Sequence, residues 1–154
     1  MQVEIGEIKL KNPKLPQELA VEELQKWLDY KKTKIELVVK SNSEEEGEDN
    51  KANADIIEAL MDGSLVINED MTMTYTLSFP VMSDRGTDEL QVITLKPRLT
   101  AYEVQQATKG ITKDEPFKLF TGYIHVLSGE VRGIVNKIDS SDFSMLQKIV
   151  GYFL

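Results

Sequence analysis

The 154-residue chain reads as an α+β fold: an antiparallel β-hairpin or small sheet packed with several helices, with a helical C-terminal half. Three observations predict this class. Between residues 71 and 81 apolar side chains hold the odd positions, while Thr72, Thr74, Thr76 and Ser78 hold even ones. Successive strand side chains point to opposite faces, so this pattern is a half-buried strand with Tyr75, Leu77 and Phe79 turned to the core. A turn-rich stretch at 83–88 leads into a second apolar run at 90–95, which returns as the other arm of the hairpin. From Thr100 onward the apolar spacing changes to three and four, and helix start and stop residues bracket each run. Strand signals followed by helix signals mark an α+β arrangement.

The elements follow in order. Residues 2–10 bring Val3, Ile5, Ile8 and Leu10 close to alternation, a short strand broken by Asn12-Pro13 and Pro16. From Gln17 to about residue 32 the spacing is helical, with Leu19, Leu24, Trp27 and Leu28 on one side and acids early, where the helix dipole favours them. Residues 33–39 either continue that helix or form a strand that carries Ile35, Leu37 and Val39 inward. An acidic loop spans 41–51, and residues 52–61 form a short helix stopped by Asp62-Gly63. Residues 1–70 are therefore one region, and residues 71–154, the hairpin plus helices, are a second.

Within the second region Pro80 demands an edge or terminal position, because it has no N–H for a ladder. Met61, Met71, Met73 and Met82 surround this strand and read as core filling rather than as an adaptable binding face. Thr100 and Glu103 make a capping box for a helix that runs to Thr108 and stops at Gly110. Pro116 opens the next helix, with Phe117, Phe120, Ile124 and Leu127 as its stripe and Ser128-Gly129 as its end. Ser140 or Ser141 caps the last helix, whose stripe is Phe143, Leu146, Ile149, Val150, Phe153 and Leu154.

Composition excludes several classes of function. There is no cysteine and one histidine, His125, which removes disulfides, thiolate catalysis and Cys- or His-rich metal sites. No apolar run approaches the roughly 18 residues that a membrane span needs, and the first residues carry no secretory pattern. The net charge is −8, yet residues 41–70 alone hold one Lys against ten acids, while residues 71–154 balance nine against nine. No cluster of Lys and Arg is visible that would displace counterions from nucleic acid, so nucleic-acid binding is disfavoured. The acidic run of Glu44, Glu45, Glu46, Glu48 and Asp49 lacks the ligand spacing of a calcium loop and reads as a solvated segment. Phosphate loops are missing. Asp114-Glu115 and Asp139 with Asp142 lie at helix starts, where capping explains them better than acid–base chemistry. The expectation is a non-enzymatic protein with no cofactor and no bound metal.

Residues from about 74 to 154 resemble the small tail assembly chaperones of contractile-tailed, Mu-like bacteriophages. The resemblance lies in Thr76-Leu-Ser-Phe-Pro-Val81 entering a hairpin, followed by Ile93-Thr-Leu-Lys-Pro-Arg-Leu-Thr-Ala-Tyr-Glu103. Leu127-Ser-Gly129, Ile138-Asp-Ser-Ser-Asp-Phe143 and a last amphipathic helix ending in Phe153-Leu154 complete it. The first 70 residues are extra to that pattern. The resemblance implies a protein without catalytic residues that binds the tape measure protein, helps to recruit tail tube subunits, acts in the cytoplasm of the bacterial host and is lost from the mature virion. It also implies that a longer form arises by ribosomal frameshifting. The alternative in a different class is a structural tail or baseplate component. An acidic mimic of nucleic acid ranks lower, because the excess charge is confined to one window. The partner surface expected from the apolar stripe is Ile149, Phe153 and Leu154, partly exposed or at a homo-oligomer interface, with Phe143, Leu146 and Val150 packed inside.

Overall fold

The computed structural model describes residues 1–39, 48–82 and 88–154, so most of the acidic loop (residues 40–47) and the hairpin turn (83–87) lie outside the described residues. The fold is α+β. The chain divides into two compact units, Met1–Met71 and Thr72–Leu154.

In the first unit, strand β1 (Gln2–Ile5) and strand β2 (Glu36–Val39) pair in parallel, with Val3 opposite Leu37. Parallel neighbours need a long crossover, and helix α1 (Gln17–Tyr30) lies in that crossover. Of residues 33–39, only Glu36–Val39 settle as strand. Its Leu37 is buried while Val39, at the strand's end, is exposed, contrary to the inward assignment. The first strand is also shorter than the expected 2–10. Gln17 explains the stop: its side chain accepts from the Ile8 N–H (2.9 Å) and donates to the Gly6 carbonyl (2.8 Å), so residues 6–8 bond to α1 and not to a strand.

The buried stripe of α1 is Ala20, Val21, Leu24, Trp27 and Leu28. Leu19 is exposed, a correction to its expected place. Five positions from Leu24 turn it about 140° round the helix, off the stripe. Helix α2 (Glu48–Asp62) packs on α1 and β1. It begins inside the expected acidic loop, four residues before Ala52, since acidic residues suit a helix N-terminus. Strand β3 (Leu65–Ile67) follows the turn at Gly63, whose φ is +85°. Met71, expected in the long strand, instead has a φ of +70° and its carbonyl accepts the Trp27 indole N–H at 3.0 Å.

Helix α1 ends in a Schellman arrangement: the Lys32 N–H reaches Asp29 O (2.9 Å) and the Thr33 N–H reaches Leu28 O (3.0 Å). The left-handed residue at this end is Lys32, with φ of 58°, where glycine is the usual occupant. A side chain in this conformation costs roughly 1–2 kcal/mol, partly offset by the greater freedom of glycine in the unfolded chain. Lys32→Gly is expected to raise stability by about 0.5–1 kcal/mol, read as a higher denaturant midpoint at unchanged slope. A lower midpoint would show that Lys32 does not hold this conformation in solution.

In the second unit, strand β4 (Met73–Met82) and strand β5 (Asp88–Leu95) form the antiparallel hairpin, with Tyr75 opposite Ile93 and Thr76 opposite Val92. Met73, Tyr75, Leu77 and Val81 are buried, as alternation requires. Phe79 breaks the pattern and is 58% exposed. The reason is a register shift between Thr76 and Val81. Pro80 has no N–H to donate there, and the Ser78 and Phe79 N–H groups turn to a carboxylate on the last helix instead of to β5. The arch rotates Phe79 outward before Val81 rejoins the ladder.

Helix α3 (Ala101–Thr108) carries the expected capping box at Thr100 and Glu103, and Gly110 follows with φ of +73°. Helix α4 (Pro116–Ser128) ends at left-handed Gly129. The backbone bond from Lys96 N to Leu127 O (3.0 Å) ties the end of β5 to the end of α4. A short helix α5 (Arg132–Val135) leads to helix α6 (Ser140–Val150), which tightens into a 3-10 turn at Gly151–Phe153. The cap of α6 is Asp139 and not Ser140 or Ser141: its carboxylate accepts from the Ser141 N–H at 3.0 Å and the Ser141 hydroxyl at 2.6 Å. These two bonds, the hydroxyl's first, hold the Asp139 carboxyl below its ordinary range. No helix among the described residues is long and apolar enough to cross a membrane.

Candidate functional site

The apolar stripe of α6 divides differently from expectation. Leu146, Ile149 and Val150 are all fully buried, so Ile149 is corrected from partner surface to core. Spacings of three and four from Leu146 put all three on one line, and that line faces inward. Phe153 is half-buried and Leu154 is 62% exposed, because the 3-10 turn after Val150 changes the periodicity and carries both off the stripe. Phe143, expected inside, is only half-buried.

Phe143 has a neighbour that the sequence assigned to the core. Phe117, in the first turn of α4, is 69% exposed, and its ring centroid lies 6.4 Å from that of Phe143 at an interplanar angle of 34°. Phe117 stands seven positions before buried Ile124, so it is on the inward line of α4. It overhangs because it sits at the end of its helix, beyond the packing that buries Ile124 and Leu127. The two rings edge a groove of about 310 Å3, with Val135 and Ile138, both buried, beneath it. Thr121 and Asn136 lie along it, and the Thr121 hydroxyl is turned back to the Phe117 carbonyl at 2.9 Å.

Beside this groove, and sharing Thr121 and Asn136 with it, is a cleft of about 510 Å3. Lys109, Lys118 and Arg132 line it, with Gln106 and Ile111, and no carboxylate is among its lining residues. Arg132 is oriented by a bond from one guanidinium nitrogen to the Gln106 carbonyl at 2.8 Å, which leaves its remaining donors available. Lys118 pairs with Glu115 one turn earlier on the rim. That contact, followed by the Thr112 hydroxyl at 3.1 Å, holds the Glu115 carboxyl below its ordinary range.

Close helix packing holds these walls together. A Cβ on Gly122 of α4 would stand 2.0 Å from the Ala107 carbonyl oxygen of α3. Only glycine permits that approach.

Asp142, His125, Asp139 and Glu115 each have a defined partner. Asp142 is completely buried and accepts from the Tyr75 hydroxyl (2.7 Å), the Ser78 N–H (3.0 Å) and the Phe79 N–H (3.0 Å). His125 places Nδ1 2.6 Å from the Glu130 carbonyl oxygen just beyond the end of α4. Asp139 caps α6, and Glu115 is paired as described.

Two features of the site carry no signal in the sequence. The helical period gives direction round a helix but not depth along it, so Phe117 read as core. Lys109, Lys118 and Arg132 are dispersed along the sequence, and only the return of α4 and α5 past the end of α3 gathers them. No protein-family model, curated protein or solved structure matches this chain.

Proposed function

We propose that this chain is a phage tail assembly chaperone, a non-enzymatic adaptor that holds apolar helical segments of the tape measure protein and helps to recruit tail tube subunits. It acts in the host cytoplasm and leaves before the virion is mature. The observation that carries the reading is the groove edged by Phe117 and Phe143, which lies within the residues that resemble this family. A long coiled-coil protein made before its partners must keep its apolar seam covered. A shallow aromatic groove can take side chains from such a seam and release them again, because aromatic rings supply large contact area at little entropic cost. Leu154, exposed at the end of the same unit, adds a second apolar contact.

The test is co-expression with a phage tape measure protein, followed by affinity purification and assay of purified particles. The wild-type chain is expected to keep the tape measure protein soluble, to co-purify with it and to be missing from finished particles. Phe117→Glu is expected to weaken the association about thirtyfold, the size of one interface hot spot, without changing the melting temperature of an exposed site. Unchanged association would move the site elsewhere. Retention in purified particles would favour a structural tail or baseplate component.

A further inference from the structure

The basic cleft and the aromatic groove meet at Thr121 and Asn136, so one ligand lying across α4 and α5 reaches both. One end offers the Phe117 and Phe143 rings above nearly buried Ile138, and the other is lined by three cations, of which Lys118 is paired with Glu115. We infer that the two recesses form one bipartite docking site for an acidic amphipathic helix of a partner protein, its apolar residues in the ring groove and its carboxylates at Lys109, Lys118 and Arg132. This deepens the chaperone reading and rests on its use of the groove as a partner site.

Three features select that occupant. The charge is local: the chain as a whole carries −8, so a basic recess in it is complementary to carboxylates and not a sign of general polyanion affinity. The apolar end asks for large side chains beside those carboxylates, which a free anion does not have. The walls are supplied by α3, α4, α5 and α6 with the links between them, and no strand edge borders them. An extended peptide would find no ladder to join, so the partner must satisfy its own backbone, as a helix does. Arg132, already held by the Gln106 carbonyl, presents its remaining N–H groups with little ordering left to undergo.

The experiment uses the full chain and two synthetic, fluorescently labelled amphipathic helices. They share leucines spaced at three and four; one carries glutamates on the flank of that stripe and the other carries lysines. Fluorescence anisotropy is expected to show the glutamate peptide bound at least tenfold more tightly than the lysine peptide, with affinity falling as salt rises. Lys109→Glu with Lys118→Glu, both surface changes, is expected to reverse the preference, and Phe117→Ala to weaken both peptides. Equal binding of the two peptides, or binding of neither, overturns the inference without any need for the variants. Equal binding of a glutamate peptide with its leucines changed to serine, or of a single-stranded oligonucleotide, also overturns it, and would assign the cleft to simple polyanions. Loss of peptide selectivity with the tape measure protein still co-purifying would sink this inference alone. Selectivity without co-purification would sink the chaperone reading and leave the docking site.

Discussion

Asp142→Ala is expected to destabilise the protein by about 4–5 kcal/mol, because it strips the acceptor from three donors at once. The Tyr75 hydroxyl is inside the second unit, and the Ser78 and Phe79 N–H groups have already left the β5 ladder to reach this carboxylate. Losing this acceptor costs about 1–3 kcal/mol at the buried Tyr75 hydroxyl, and less at each of the part-buried Ser78 and Phe79 N–H groups, which water can reach. Hydrogen bonds to a charged acceptor lie at the strong end of the range, and α6 adds the favourable end of its dipole. The isosteric Asp142→Asn separates these contributions. Its one oxygen can still serve Tyr75 and Ser78, but its amide nitrogen then confronts the Phe79 N–H, donor to donor. Roughly half the alanine effect is expected, and Tyr75→Phe should lose only about 1 kcal/mol, one neutral donor replaced by nothing. Chemical denaturation of the three variants checks the order. Should Asp142→Asn be neutral, the carboxylate does not organise the arch of β4.

Gly122→Ala is expected to cost about 3 kcal/mol, even though alanine is the better helix former. Intrinsic propensity alone favours alanine by roughly 1 kcal/mol. Against it stands a methyl group 2.0 Å from the Ala107 carbonyl oxygen, a main-chain atom with no rotamer to yield. Relief requires α3 and α4 to separate, which opens the packing round fully buried Ala107 and Ile124; overpacking of this kind typically costs 1–3 kcal/mol, occasionally more. A fall in the melting temperature of roughly 5–10 °C follows for a chain of this size. The same separation would widen the basic cleft, which Gln106 and Lys109 of the α3 end share with Lys118 and Arg132. Peptide binding should weaken with it, measured well below the melting transition. Alanine raising the stability would mean that propensity outweighs the contact and the helices have room.

The sequence by itself determined those features that one residue or a short run decides alone. Thr100 and Glu103 cap α3 through their own side chains, Gly110 and Gly129 end helices because they accept positive φ, and Pro116 opens a helix where no N–H is needed. The six-position alternation from Met71 likewise announced β4, since the pleat sets a period of two whatever lies above it. Tertiary structure decided everything that depends on what a second element brings. It took Phe79 out of the core by lending Asp142 to the backbone of β4. Ile149 was buried and Phe117 exposed although both lie on apolar lines, because a helical period fixes the direction of a side chain and not whether a neighbour extends far enough to cover it. Lys109, Lys118 and Arg132 became a basic recess for the same reason: electrostatic fields add over distance in space, and distance along the chain carries no information about that until the helices have packed.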